Sequence, residues 1–164
     1  MISLNKKHGK RQSGFTIVEL LIVIVVIGIL AAIVITTYAG IQSKGRNTKR
    51  TTDIVAIQSK LEAYYAENGN YPSLTQMNDT TWLAANMKGL DTAALYDPSA
   101  ASKTAANPLV TSPAAKVYAY APVTSATPGA SCEADATTCA AYTLTATYEG
   151  SVSGSTTDVK HNLN

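Results

Sequence analysis

A single carboxylate, Glu19, stands at the start of a long apolar stretch. Residues 20–35 contain no polar side chain. An ionised group in or near hydrocarbon costs roughly a few kcal/mol unless it is paired. Glu19 follows Phe15 by four residues, about 6 Å of helix rise. Pairing with a cation is therefore one role for Glu19; the alternative is a carboxylate that snorkels to a polar surface and gains from the helix dipole.

Two cysteines offer a second kind of chemistry. Cys132 and Cys139 are separated by six residues, and a loop of that length can bring their Cα atoms within disulfide range. Zinc would need further Cys or His ligands nearby. Glu133 and Asp135 in the same loop lack the alternating oxygen ligands of a calcium site. The pattern favours a disulfide in an exported protein and predicts no metal or other cofactor.

No group of residues predicts catalysis. His8 lies in the basic N-terminal stretch, and His161 lies in a polar tail with no nucleophile beside it in sequence. Glu62 and Glu67 are interpreted as solvated positions on a helix. A phosphate-binding glycine loop and a nucleic-acid motif are also missing from the sequence. We therefore predict that the chain is not an enzyme.

The charges of this 164-residue chain are unevenly placed. Four of its thirteen cations lie within the first fourteen residues, without an acid among them: Lys6, Lys7, Lys10 and Arg11. The remaining chain has nine cations and eleven acids. No basic excess is left to suggest nucleic acid as an obligatory partner. The length fits one globular domain.

The apolar stretch is long enough to cross a membrane. Residues 15–35 would form a helix of about 31 Å, against a hydrocarbon core of about 30 Å. A cleaved secretory signal with its exit near Ala39 and Gly40 is the alternative. Its apolar region would be too long and would begin with a carboxylate, so a retained helix is favoured.

Residues 1–38 resemble the N-terminus of type IV prepilins and pseudopilins. The features that match are a short basic leader ending at Gly14, then Phe15, then Glu19 within an apolar helix. The resemblance implies that a prepilin peptidase cuts between Gly14 and Phe15 and methylates the new Phe15 amine. Glycine suits that position because it lets an extended backbone enter a tight proteolytic cleft.

The resemblance also implies a location and partners. The precursor would be a single-pass inner-membrane protein with its leader in the cytoplasm and its head outside. An assembly platform in that membrane would then pack copies of the chain, and other pilins, into an extracellular filament. Glu19 of an incoming subunit would meet the Phe15 amine of its neighbour. One feature departs from the family, since a proline that many relatives carry is here Thr36.

A second basic cluster follows the apolar segment. Its members are Lys44, Arg46, Lys49 and Arg50. With the leader inside, these side chains are predicted to meet anionic headgroups or acidic groups of neighbouring subunits. A solvated face of a helix is the commoner explanation for such a cluster.

The pattern after the cluster predicts an α+β fold, in which one long N-terminal helix packs by its second half on a small C-terminal antiparallel sheet. Apolar residues recur at helical spacing and are expected to pack on that sheet: Ile54, Ile57, Leu61 and Tyr64 or Tyr65. The helix should end at residues 68–70, where Gly69 suits a left-handed cap. A short helix is predicted at 81–87, and strands at 117–123, 142–149 and 159–163. The predicted divisions are a leader (1–14), an apolar helix (15–38), an amphipathic continuation (39–69) and a head (70–164).

Three functions fit this organisation. The first is a structural subunit of a type IV pilus-like filament serving adhesion, motility or DNA uptake. The second is a pseudopilin of a type II secretion system; it ranks lower here because the acidic, calcium-binding loop typical of the major pseudopilin is not evident. The third, from another class, is a membrane-anchored binding protein that never polymerises.

Overall fold

The computed structural model describes residues 14–124, 129–132 and 139–163. Two of its features confirm the predicted α+β class: a long N-terminal helix, α1 (Ile17–Asn68), and a small four-stranded sheet after it. The chain divides into two compact units, one ending at Gly40 and the other beginning at Ile41. The basic leader (1–13) and the loop acids Glu133 and Asp135 lie outside the described residues.

The second half of α1 carries the predicted apolar face. Ile54, Ile57 and Leu61 are all fully buried. Full burial of such side chains contributes about 1.5–3 kcal/mol each. The helix ends at Asn68, and Gly69 follows with φ +74° while its N–H donates to the Tyr65 carbonyl at 2.7 Å. Both the face and the glycine cap are confirmed.

Short helices connect α1 to the sheet. They are α2 (Leu74–Asn78), α3 (Thr80–Asn86) and a 3₁₀ turn (Thr92–Leu95). Ser73 and Gln76 form a capping box at α2, and the Asp79 carboxylate accepts from two backbone N–H groups of α3. The helix predicted at 81–87 is thus confirmed as α3, whereas α2 and the 3₁₀ turn were not predicted.

The sheet has the order β1-β2-β3-β4. Its strands are β1 (Leu109–Val110), β2 (Tyr118–Val123), β3 (Ala141–Val152) and β4 (Ser155–His161). The pairs β2–β3 and β3–β4 are antiparallel, but β1 pairs with β2 in parallel. The antiparallel pairing predicted for the sheet is confirmed for β2, β3 and β4, whereas the two-residue parallel edge strand β1 was not predicted. The third predicted strand is confirmed as β4, although it begins earlier, at Ser155.

Four tyrosines form the centre of the head core. They are fully or almost fully buried and belong to one cluster with the apolar face of α1: Tyr71, Tyr118, Tyr120 and Tyr142. Burial raises the pKa of Tyr118 and of Tyr142 above the usual range of a phenol, so both hydroxyls remain protonated donors. Each of the four hydroxyls has a partner, as buried tyrosines require.

The hydroxyls of Tyr118 and Tyr142 bond α1 to the sheet, and those of Tyr71 and Tyr120 bond the segment that follows α1. Tyr118 donates to Asp53 at 3.0 Å and Tyr120 to the Pro72 carbonyl at 2.7 Å. Tyr71 and Tyr142 donate to the two oxygens of Glu62 at 2.9 and 2.7 Å. The interpretation of Glu62 as a solvated position is therefore wrong, because the folded chain brings two phenols to it.

Candidate functional site

The predicted processing junction lies just before α1. Gly14 and Phe15 precede the helix, which begins at Ile17, and Phe15 is 87% exposed. Among the residues that the structure describes, apart from its chain neighbours, none lies within 4 Å of the position that a Cβ on Gly14 would take.

Glu19 folds back onto the first turn of its own helix. The Thr16 backbone N–H donates to Glu19 Oε2 at 2.8 Å and the Thr16 hydroxyl donates to the same oxygen at 2.7 Å. The Glu19 N–H in turn donates to Thr16 Oγ1 at 3.2 Å. This reciprocal pattern is a capping box. It supplies the carboxylate with local donors within a single subunit, a role that the sequence analysis did not assign to Thr16.

The large apolar side chains in the first half of α1 are exposed. They are between about half and nine-tenths exposed, from Ile17 at 87% to Val26 at 48%. By length and composition the helix could cross a membrane, with an 18-residue window of mean hydropathy 3.3. The helix continues without a break through residue 36. This position, where many relatives of the resembled family carry a proline, is therefore regular helix. An exposed apolar surface of this size requires a bilayer or neighbouring protein.

An ion cluster lies where α1 enters the head. The Arg50 guanidinium, 1% exposed, donates from Nε and Nη2 to the two oxygens of Asp97 at 2.6 and 2.8 Å. It also donates to Glu149 at 2.8 Å, and Glu149 pairs with Arg46 as well. These bonds raise the pKa of Arg50, chiefly through Asp97, and lower that of Glu149, chiefly through Arg46. Arg50 and Glu149 therefore stay charged at neutral pH.

A bulge in β3 aims Glu149 at this cluster. The pairing of β3 with β4 is interrupted between Thr147 and Val152, and Gly150 has φ +79°. Bulges commonly redirect a side chain in this way. Asn47 on α1 completes the site, because its amide donates to the Glu149 carbonyl at 3.1 Å and accepts from the Glu149 N–H at 3.0 Å. The helix side chain thus satisfies backbone groups that the bulge leaves without a strand partner.

These contacts correct the expectation for the second basic cluster. Arg46, Lys49 and Arg50 all pair with acids of the same chain, Lys49 with Asp53. Arg50 is buried rather than solvated. Only folding brings it to Asp97 and Glu149, which lie 47 and 99 residues away. Lys44, which is exposed, still fits the expectation of a headgroup or subunit contact.

The N-terminal segment matches a known family model. Residues 9–35 match the prokaryotic N-terminal methylation motif. The N-terminal segment is of the prepilin type. This agrees with the resemblance to the type IV pilin-like family that Gly14, Phe15 and Glu19 indicate.

Several relatives of this chain are named Type II secretion system core protein G. The protein of Pectobacterium carotovorum subsp. carotovorum is 41% identical over 70 residues, which cover 43% of this chain and 45% of that protein. The Aeromonas hydrophila protein is 42% identical over 67 residues, 41% of this chain and 47% of the relative. The Vibrio cholerae protein is 39% identical over 70 residues, which cover 43% of this chain and 48% of that protein. The chain therefore spans about half the length of these curated relatives, and no solved structure matches it.

The two cysteines lie in the core of the head. Cys132 is 4% exposed and Cys139 is 0% exposed. The Cys139 carbonyl accepts from the Tyr71 N–H at 2.8 Å, and the Cys132 carbonyl accepts from the Leu74 N–H at 3.4 Å. The disulfide between Cys132 and Cys139 stays a prediction for the exported, oxidised protein.

We expect Cys132 and Cys139 to be joined by a disulfide when the chain is purified from an oxidising compartment. Closing this short loop should stabilise the head by roughly 2–3 kcal/mol through loop entropy. The measurement is thiol labelling of the protein unfolded without reductant, with the reduced protein as control. Two labelled thiols per chain before reduction would contradict the pairing.

Proposed function

We propose that the chain is the precursor of a structural subunit in a pilin-like filament. In this proposal it is anchored in the membrane by residues 15–38 and cut between Gly14 and Phe15. It is then packed into a filament through α1. The observation that carries the proposal is the N-terminal methylation motif at residues 9–35, which overlaps a helix whose large apolar side chains are exposed. A helix-to-helix filament core would bury those side chains.

Within the pilin-like class, we favour a pseudopilin of a type II secretion system over a type IV pilus subunit. The relatives named Type II secretion system core protein G support this order, which reverses the sequence-based ranking. That ranking depended on the loop containing Glu133 and Asp135, which lies outside the described residues. Deletion of the gene in the producing bacterium should then reduce protein secretion and leave surface pili in place. Loss of pili with normal secretion would restore the type IV pilus function.

Glu19 is the residue proposed to direct assembly. In the free subunit the capping box with Thr16 holds its carboxylate at the helix N-terminus. Cleavage before Phe15 would create a positive amine one helical turn away. We propose that, in the filament, Glu19 of one subunit pairs with the Phe15 amine of its neighbour, so that two charges are neutralised together and the axial register is set.

The mature chain should begin at Phe15 with a methylated amine. Mass spectrometry of protein recovered from the membrane and from sheared filaments would show both changes, since loss of residues 1–14 and one added methyl group have distinct masses. Gly14→Leu should leave the leader attached, because a large side chain at that position blocks an extended fit into the protease. A mature terminus after Ala39, or filaments that retain the leader, would contradict the proposed processing.

A further inference from the structure

At both outer edges of the head sheet, side chains bond some of the outward main-chain groups. A strand at the edge of a sheet presents unpaired N–H and C=O groups to which another chain can add. The edges here are β1 and β4, since β2 and β3 lie between them. At each edge, side chains occupy outward main-chain groups of the strand.

At β1 the closing side chain is Asn78, the last residue of α2. The Leu109 N–H donates to Asn78 Oδ1 at 2.9 Å, and Asn78 Nδ2 donates to the Leu109 carbonyl at 3.0 Å. A carboxamide carries one acceptor and a donor pair, so Asn78 makes the two bonds that a neighbouring strand would make. The strand is also only two residues long. Very short edge strands are a known protection against pairing.

At β4 the closure uses Ser155 and Gln58. The Ser155 hydroxyl donates to the Thr157 carbonyl at 2.7 Å and accepts from the Thr157 N–H at 3.2 Å. Four residues on, the His161 carbonyl accepts from Gln58 on α1 at 2.9 Å. Thr157 and His161 differ by an even number of positions, so their main-chain groups lie on the same side of β4.

The same kind of bond also occurs on β3, an inner strand of the sheet. Asn47 bonds both main-chain groups of Glu149 at the β3 bulge, which also lacks a regular strand partner. At three strand residues, a side chain therefore bonds both the main-chain N–H and the carbonyl, as a neighbouring strand would: Leu109, Glu149 and Thr157. A charged pair on β4, Asp158 with Lys160 at 3.5 Å, adds a further barrier to an approaching edge.

We propose that Asn78 and Ser155 keep the heads of two copies of this chain from joining through their sheet edges. Contacts between copies are then confined to surfaces other than the sheet edges. The proposal concerns the head alone, and it holds whether the chain serves secretion or a pilus. A subunit concentrated at a membrane needs such protection because open edges promote β-pairing between identical chains.

The test uses the full chain in detergent and compares Asn78→Ala with the parent. In the parent, the Leu109 amide should be protected from hydrogen exchange equally at low and high protein concentration. In the variant, exchange at Leu109 should rise at least tenfold in dilute samples. It should slow again in concentrated samples, with an increase in mass by light scattering, as β1 pairs with another copy. The control is Asn86→Ala, since Asn86 bonds only the Trp82 carbonyl within α3; it should change neither quantity.

A second variant keeps the test decisive if Asn78→Ala unfolds the head. Ser155 is exposed at the hairpin end of β4, so Ser155→Ala removes two edge bonds with little effect on the core. Combining both folded variants opens both edges and should give open-ended association rather than dimers. Folded variants that stay at the parent's mass, with Leu109 and Thr157 exchanging fast at every concentration, would overturn the proposal.

Discussion

Glu19→Gln should lower the amount of the chain in filaments at least tenfold while leaving its expression, membrane insertion and leader cleavage unchanged. Glutamine keeps the acceptor oxygen for the Thr16 N–H and so preserves the capping interaction. Only the negative charge is lost. Without it, the methylated Phe15 amine of a neighbour would be buried without a counter-ion, which costs several kcal/mol. Immunoblots of sheared filaments against whole cells measure the effect in a strain that lacks the parent chain.

Two matched variants separate the charge from other effects. Glu67→Gln makes the same chemical change at an exposed position near the end of α1 and should assemble normally. Thr16→Ala removes the hydroxyl bond to Glu19 but keeps the charge, so assembly should continue. If Glu19→Gln alone assembles as well as the parent, or if Thr16→Ala fails to the same degree, the proposed pairing with the Phe15 amine is wrong.

Arg50→Met should destabilise the head by about 3–5 kcal/mol, the usual cost of removing one partner from a buried ion pair. Asp97, which is 0% exposed, would lose both bonds to the guanidinium. Methionine is also apolar and of similar length, so packing changes least. Urea unfolding of the full chain in detergent, followed through the half-buried Trp82, gives the free energy of unfolding.

A second substitution tests whether the loss of stability in Arg50→Met comes from the unpaired charge of Asp97. Asp97→Asn in the Arg50→Met background should recover part of the lost stability, because a neutral amide is cheaper to bury than a carboxylate. Lys44→Met changes an exposed cation of the same helix and should alter the free energy by less than about 0.5 kcal/mol. A loss no larger for Arg50→Met than for Lys44→Met would show that the buried cluster is not a stabilising feature.

Patterns among neighbouring residues correctly predicted the structural features that neighbouring residues determine. The spacing of Ile54, Ile57 and Leu61 identified the buried face of α1, and Gly69 identified its end. In β3 the alternation held for Tyr142 and Leu144. It was broken at Thr145, a buried polar residue between two other strands.

Features that depend on distant residues were missed. Strand β1 is two residues long, and both outward main-chain groups of Leu109 are satisfied by Asn78, 31 positions earlier. The roles of Asp97 and Glu149 likewise appear only when Arg50 is folded against them. Arg50 was grouped with its basic neighbours because a charge pattern gives no sign of which cation will be buried. At the candidate site, Gly14, Phe15 and Glu19 could be proposed from the sequence because they lie within one short stretch of it.

The tyrosine hydroxyls and the ion cluster have a mechanical consequence for the head. They hold α1 at Arg50, Asp53 and Glu62, which span about 18 Å of helix. Sliding the helix by one turn moves each group by about 5.4 Å, beyond the reach of any hydrogen bond. Because the helix is stiff along its axis, a pull on α1 loads these attachments in parallel rather than one after another. They share the tension, so the sheet should release the helix in one abrupt step at high force instead of peeling away gradually.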